Sequence, residues 1–199
     1  MIKHIKSDLC YKYSIFEISF IKEKQEEFLK TANETSDRIK QFLNVQKESK
    51  DITWFYQHYN IFTATCGDKN FYDLFVGINS AVKEYLKIHN ASTNNGMFYM
   101  QSWLNNHTYD EVLRSHDHGC PIHGYVSIDP KKSKTVFTDG IEDNIIYEVE
   151  NNPGLLYIGP GKRYHRVENL EKWEGQRVTM AFDVIDEKNN HLSFIPIII

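Results

Sequence analysis

The sequence predicts a mainly β protein with flanking helices: a double-stranded β-helix, or jelly roll, braced by amino-terminal helices. Three observations predict it. Strand signals with tight-turn chemistry between them recur from Met97 onward. Helical periodicity is confined to the residues before His89. Aromatic content is high, with 12 Tyr and 12 Phe, which suits a β-rich core and an aromatic-lined site. A chain of 199 residues is long enough for one domain with a sizeable core. We read residues 1–199 as that domain, with 1–95 as a strand plus supporting helices and 96–199 as the jelly-roll core.

The elements follow in order. Residues 13–20 alternate well enough for a strand, with Ile15, Glu17 and Ser19 opposing Phe16, Ile18 and Phe20. Residues 22–47 are charged and carry Phe28, Leu29, Ile39, Phe42, Leu43 and Val45. They read as an amphipathic helix broken near Asn33. Phe71, Leu74, Phe75, Ile78, Val82, Tyr85 and Leu86 recur at helical spacing and mark a second helix over 70–88. A polar loop, 89–96, closes this half. Strands are then expected at 97–104, 111–118, 122–128, 135–138, 145–149, 154–158, 165–168, 178–184 and 192–195. Turn residues such as Asp129-Pro130, Asp139-Gly140 and Pro153-Gly154 separate them. Short strands so spaced pack as a sandwich or barrel, and here the jelly roll fits.

Composition excludes several classes. Net charge is −4 and the positive residues are scattered, so no basic stripe marks a nucleic-acid partner. No segment approaches a membrane span, and the closing apolar run is short and interrupted by Pro196. Three cysteines, Cys10, Cys66 and Cys120, are too few and too irregular for a disulfide framework. The amino terminus carries no apolar run of signal-peptide length. A soluble, reducing, cytoplasmic setting is expected.

The chemistry concentrates in Ser115-His116-Asp117-His118-Gly119-Cys120-Pro121-Ile122-His123 and in Tyr164-His165-Arg166-Val167. Residues i and i+2 of a strand share a face, so His116 and His118 point together and Asp117 points to the surface. Two neutral imidazoles joined by His165 from a distant strand suit a divalent transition metal. His123 shares a strand face with Tyr125 and Ser127. It is open between a metal ligand, a partner of a ligand and a substrate contact. His4, His58, His89, His107 and His191 read as structural or exposed.

Arg177 follows His165 by twelve residues, on a strand where Arg177 and Thr179 share one face and Val178, Met180 and Phe182 the other. A guanidinium facing into a barrel needs an anion or a dense set of acceptors. A dicarboxylate would supply that anion through a bidentate contact, with Thr179 adding a hydroxyl.

These residues resemble the Fe(II)- and 2-oxoglutarate-dependent oxygenase superfamily, in its prolyl-hydroxylase-like, phage and bacterial group. The resemblance covers about 97–186. Its carriers are Trp103-Leu104-Asn105, His116-x-His118, the runs 123–130 and 153–160, His165-Arg166-Val167 and the run 177–183. It implies iron ligation by His116 and His165. It also implies 2-oxoglutarate held by Arg177 and Thr179 with Tyr125, and a pocket shaped by Trp103 and Asn105. The family's His-x-Asp is here His116-x-His118, which leaves the third ligand open among His118, His123, Asp117 and water.

The cupins are similar too. His116-x-His118 and His123 match their first motif with histidine for the acidic ligand, and Gly154, Pro160, His165 and Asn169 match the second. Arg177, with Thr179 and the Phe182-Asp183 ending, favours the oxygenase. The expected activity is hydroxylation with Fe(II) and 2-oxoglutarate, with His116, His118 and His165 as metal ligands. The expected substrate is a small molecule or an amino-acid or protein side chain. The alternatives are a cupin-type dioxygenase or isomerase with three or four histidines, and a non-enzymatic anion-binding jelly roll.

Overall fold

A computed structural model describes residues 2–44, 57–91, 97–111, 113–140, 143–185 and 194–198. Its strands are β1 (Ile2–Asp8), β2 (Tyr13–Ile18), β3 (Met97–His107), β4 (Ile122–Asp129), β5 (Ser133–Thr138), β6 (Ile145–Glu150), β7 (Leu155–Pro160), β8 (Tyr164–Asn169), β9 (Arg177–Ile185) and β10 (Ile195–Ile198). Its helices are α1 (Ser19–Glu23), α2 (Gln25–Phe42), α3 (Ile61–Ala64) and α4 (Lys69–Ile88).

Seven strands form one antiparallel sheet in the order β1-β2-β7-β4-β9-β3-β10, and three form a second in the order β6-β5-β8. The chain passes back and forth between them. β3 and β4 lie in the large sheet, β5 and β6 in the small one, β7 in the large, β8 in the small and β9 in the large. That alternation is the jelly roll the sequence predicts, and the helices lie on its flank as expected.

The central strands of the large sheet are buried on both faces and alternate between two environments. On β9, Val178, Met180, Phe182 and Val184 are fully buried on one side. Arg177, Thr179, Ala181 and Asp183 line a cavity on the other. α2 packs on β4, and α4 packs on β1 and β2. The buried residues of α4, among them Phe71, Leu74, Ile78, Val82 and Tyr85, recur at the spacing of one helix face. Asp68 caps that helix, accepting from the backbone N–H groups of Asn70 and Phe71 at 2.9 and 3.0 Å. Phe28 and Phe71 join α2 to α4, with ring centroids 5.3 Å apart.

Several expectations are corrected. The strand expected at 111–118 is absent from its described residues except for one bridge, His116 to His165. That segment is mostly polar, so it offers a sheet little to bury. The first strand ends at Ile18, and Ser19 starts α1. The helix break falls at Lys24, and α2 runs through Asn33 without interruption. Residues 45–47 and 192–193 of two expected elements lie outside the described residues. The last strand is β10, an edge strand that tolerates the exposed Pro196. Neither β1 nor α3 is among the expected elements.

Candidate metal centre

A cavity of about 470 Å³ lies between the two sheets. Its wall includes Trp103 of β3, His123 and Tyr125 of β4, Thr135 of β5, His165 of β8 and Arg177 of β9. His116 and His118 reach it from the segment before β4.

The backbone brings the imidazoles together. His116 N–H donates to the His165 carbonyl at 3.1 Å, and His165 N–H returns a bond to the His116 carbonyl at 2.9 Å. His118 is anchored by its own N–H to the Gly161 carbonyl at 2.8 Å. The rings of His116 and His165 are 4.6 Å apart between centroids, and His118 lies 5.3 Å from each. One ring nitrogen from each of these three residues falls within 4.8 Å of the others. A second such group, His118, His123 and Asp183, shares His118 with the first. The rings of His118 and His123 stack at 3.8 Å. Asp117 is exposed at the cavity's edge, although the segment is not the strand from which that was expected.

Hydrogen bonding settles which nitrogen faces the cavity. His116 Nδ1 lies 2.8 Å from the Arg114 carbonyl, and His165 Nδ1 lies 3.1 Å from the Arg163 carbonyl. A carbonyl only accepts, so each Nδ1 carries a proton. In a neutral imidazole this leaves Nε2 with a lone pair. His118 Nδ1 lies 3.1 Å from Asp183 Oδ2, while its Nε2 is buried without a hydrogen-bond partner. A buried nitrogen of that kind is costly unless something binds it. Three imidazoles, each tied at Nδ1, with the Nε2 of His118 buried and unpartnered, fit a divalent transition metal.

Electrostatics agree with neutral ligands. Burial lowers the pKa of His116, with the Arg114 carbonyl opposing it. Burial holds His165 well below its ordinary value, and the neighbouring imidazoles of His123, His116 and His118 add to the effect. Burial, reinforced by His118, drives His123 down to about 4. Burial alone would push the Asp183 carboxyl up, but hydrogen bonds from His118 and His123 hold it well below the usual carboxylate range. The contact of His123 Nδ1 with Asp183 Oδ1 at 2.8 Å is therefore a neutral N–H donating to a carboxylate.

Arg177 does face the cavity, with Thr179 beside it. Its guanidinium donates to His107 Nδ1 at 2.8 Å, and both residues are buried. His107 stands opposite Arg177 in the register of β3 and β9. Asn105 faces Thr179 in the same register, with Nδ2 to Oγ1 at 3.5 Å, and it accepts from the Trp103 indole N–H at 3.1 Å. Tyr125 lines the cavity and donates to Asn151 Oδ1 at 3.1 Å. Every residue named from sequence as a ligand or cosubstrate contact thus lines one cavity.

Three residues in or beside this site have no role assigned from sequence, although Asp183 closes the run 177–183 that favours the oxygenase. Asp183 shares strand parity with Arg177 and Thr179, and that parity was the available signal. His107 reads as structural from sequence, and the need of a buried guanidinium for an acceptor pointed to a partner across the strand pair. Asn151 sits in a turn segment and gave no signal. Of the other histidines read as structural, His4 bonds Ser7 at 2.8 Å and His89 bonds Ser14 at 3.0 Å, while His191 lies outside the described residues.

No protein-family model and no curated protein sequence matches the chain. Solved structures do. One is a 2OG-Fe(II) oxygenase family oxidoreductase of Burkholderia pseudomallei, 8% identical, with 55% of this chain aligned to 53% of that one at a TM-score of 0.41. A second is dioxygenase for auxin oxidation 1 of Arabidopsis thaliana in its binary complex with 2-oxoglutarate. It is 10% identical, with 96% of this chain aligned to 70% of that one at a TM-score of 0.47. A third is a cupin superfamily protein of Desulfitobacterium hafniense, 14% identical, with 48% of this chain aligned to 82% of that one at a TM-score of 0.30. The chain spans little more than half the length of the bacterial oxygenase. Among the described residues, no helix is long and apolar enough to cross a membrane.

Proposed function

We propose that this chain is a metal-dependent oxygenase that holds Fe(II) on His116, His118 and His165 and uses 2-oxoglutarate as cosubstrate. The observation that carries the reading is the shared cavity. Three imidazoles whose ring nitrogens converge to within 4.8 Å, one of them with an unpartnered buried Nε2, stand in a pocket whose wall also carries the buried Arg177.

Dioxygen would supply the oxidising power for C–H hydroxylation, with Fe(II) held here to activate it; one oxygen atom would go to the substrate and the other into succinate as 2-oxoglutarate loses carbon dioxide. The chain's residues do the rest. The Arg114 and Arg163 carbonyls hold the Nδ1 protons of His116 and His165, which fixes both rings. Arg177 offers a guanidinium fork to the far carboxylate, with the Thr179 hydroxyl next to it. Asn105, locked by Trp103, sets the shape of that end. Trp103 stacks beside the His118 ring, 5.7 Å away, on the cavity wall. The substrate is a small molecule or an amino-acid side chain that fits beside the cosubstrate.

The test is consumption of 2-oxoglutarate and oxygen by the Fe(II)-loaded protein without added substrate. We expect slow, metal-dependent release of succinate. Oxygen uptake that is indifferent to 2-oxoglutarate would favour the second reading, a cupin-type enzyme. The stacking of His123 on His118 supports that reading, since it places a fourth imidazole beside the three.

A further inference from the structure

We propose that Asp183 is the positioning residue of the metal centre, supplying through His118 and His123 the carboxylate charge that the His116-x-His118 pair lacks. The proposal rests on the metal-binding half of the function proposed above and is independent of 2-oxoglutarate.

The geometry is specific. Oδ2 of Asp183 meets His118 Nδ1 at 3.1 Å, and Oδ1 meets His123 Nδ1 at 2.8 Å. The carboxylate is 13% exposed and the two imidazoles 12% and 5%. Asp183 projects to the cavity side of β9, which it shares with Arg177, Thr179 and Ala181, and the other side of the strand is apolar. A carboxylate in such a place is costly unless its oxygens are bonded, and here each oxygen has an imidazole N–H. Strand register builds the clamp, because Asp183 stands opposite His123 in the β4–β9 pair.

Two consequences follow. First, a carboxylate accepting from Nδ1–H fixes the His118 tautomer and strengthens Nε2 as a donor atom. Second, it restores a charge. A divalent cation on three neutral imidazoles carries +2, whereas two histidines and one aspartate leave +1. Asp183 returns the total to +1 from outside the ligand shell. Each oxygen bonds an imidazole Nδ1, and in this proposal the carboxylate acts through His118 and not on the metal. His123 is the second jaw that orients the carboxylate, and its ring, 3.8 Å from that of His118, packs the pair.

The experiment measures the Co(II) dissociation constant and visible spectrum of the full chain under anaerobic conditions. Circular dichroism checks each variant's fold. Asp183→Asn keeps the shape and removes the charge. It should bind Co(II) roughly 10- to 100-fold more weakly, with the band positions of the wild type. Asp183→Glu, which restores the charge, should bind more tightly than Asp183→Asn. In a His118→Asp background the charge sits on the metal itself, and adding Asp183→Asn should then cost less than threefold. Wild-type affinity in Asp183→Asn, an equal loss in both backgrounds, or weaker binding by the Glu variant than by the Asn variant overturns the proposal. A Co(II) spectrum of changed coordination number in Asp183→Asn also overturns it, by placing the carboxylate on the metal. Co(II) binding without any response to 2-oxoglutarate would defeat the oxygenase reading and leave this one standing.

Discussion

His116 and His165 are joined backbone to backbone by a reciprocal pair of hydrogen bonds, 3.1 and 2.9 Å long. That bridge is all the β pairing made by the described residues of the segment before β4. It fixes two imidazoles 4.6 Å apart that are 49 residues distant in the chain. On its other edge β8 pairs with β5, where Phe137 faces His165. The distal histidine is thereby held from both sides.

His165→Ala and His116→Ala are each expected to weaken Co(II) binding by at least 100-fold, a loss of about 2.7 kcal/mol or more. The fold should persist, because β8 keeps its pairing with β5. Calorimetric titration with circular dichroism checks this. Near-normal binding in either variant would remove that histidine from the ligand set.

Arg177→Ala is expected to raise the 2-oxoglutarate concentration for half-saturation at least tenfold and to leave Co(II) affinity within threefold. Charge-assisted hydrogen bonds contribute about 1.5–3 kcal/mol each. Lysine lacks the fork, so Arg177→Lys should recover only part of the affinity. The Ala change also takes from buried His107 the donor on its Nδ1, at roughly 1–3 kcal/mol of stability in urea. Equal losses in metal and cosubstrate binding would contradict the separate roles.

Much of this was legible in the sequence because the jelly roll repeats one rule. Alternate residues of each central strand face the cavity, so parity alone put Arg177 with Thr179, and His123 with Tyr125. Charge obscured the rest. Asp183 closes a run that carries the family resemblance, yet its role stays hidden because its partners, His118 and His123, lie in other segments. Segment 111–118 shows the opposite failure. Its histidine spacing suggested a strand, yet few apolar residues back it, and the imidazoles converge through one bridge instead. β1 was hidden because an edge strand buries little. Its burial pattern is irregular, and a bulge interrupts its register with β2 between His4 and Lys6.

Gly124 separates His123 from Tyr125, and a methyl group there would meet the Phe182 ring and, at 2.7 Å, the Tyr157 carbonyl. Neither can retreat, since Phe182 is fully buried and the carbonyl belongs to β7. Gly124→Ala is expected to destabilise the fold by about 1–3 kcal/mol. Chemical denaturation measures it, and an unchanged midpoint would show that the β4–β9 contact is looser than the structure has it.

Metal should stabilise the native state by linkage. At 100 times its dissociation constant, Co(II) is expected to add about 2.7 kcal/mol and raise the Tm. A chelator should reverse the shift, and His165→Ala should not show it. A shift of equal size in that variant would mean that the ion binds elsewhere.

The most direct test of the oxygenase reading is an anaerobic titration of the Fe(II)-loaded protein with 2-oxoglutarate, followed by visible absorption. The account predicts a weak charge-transfer band that grows to saturation in the wild type and needs at least tenfold more 2-oxoglutarate in Arg177→Ala. Bound iron with no such band at any 2-oxoglutarate concentration would contradict it.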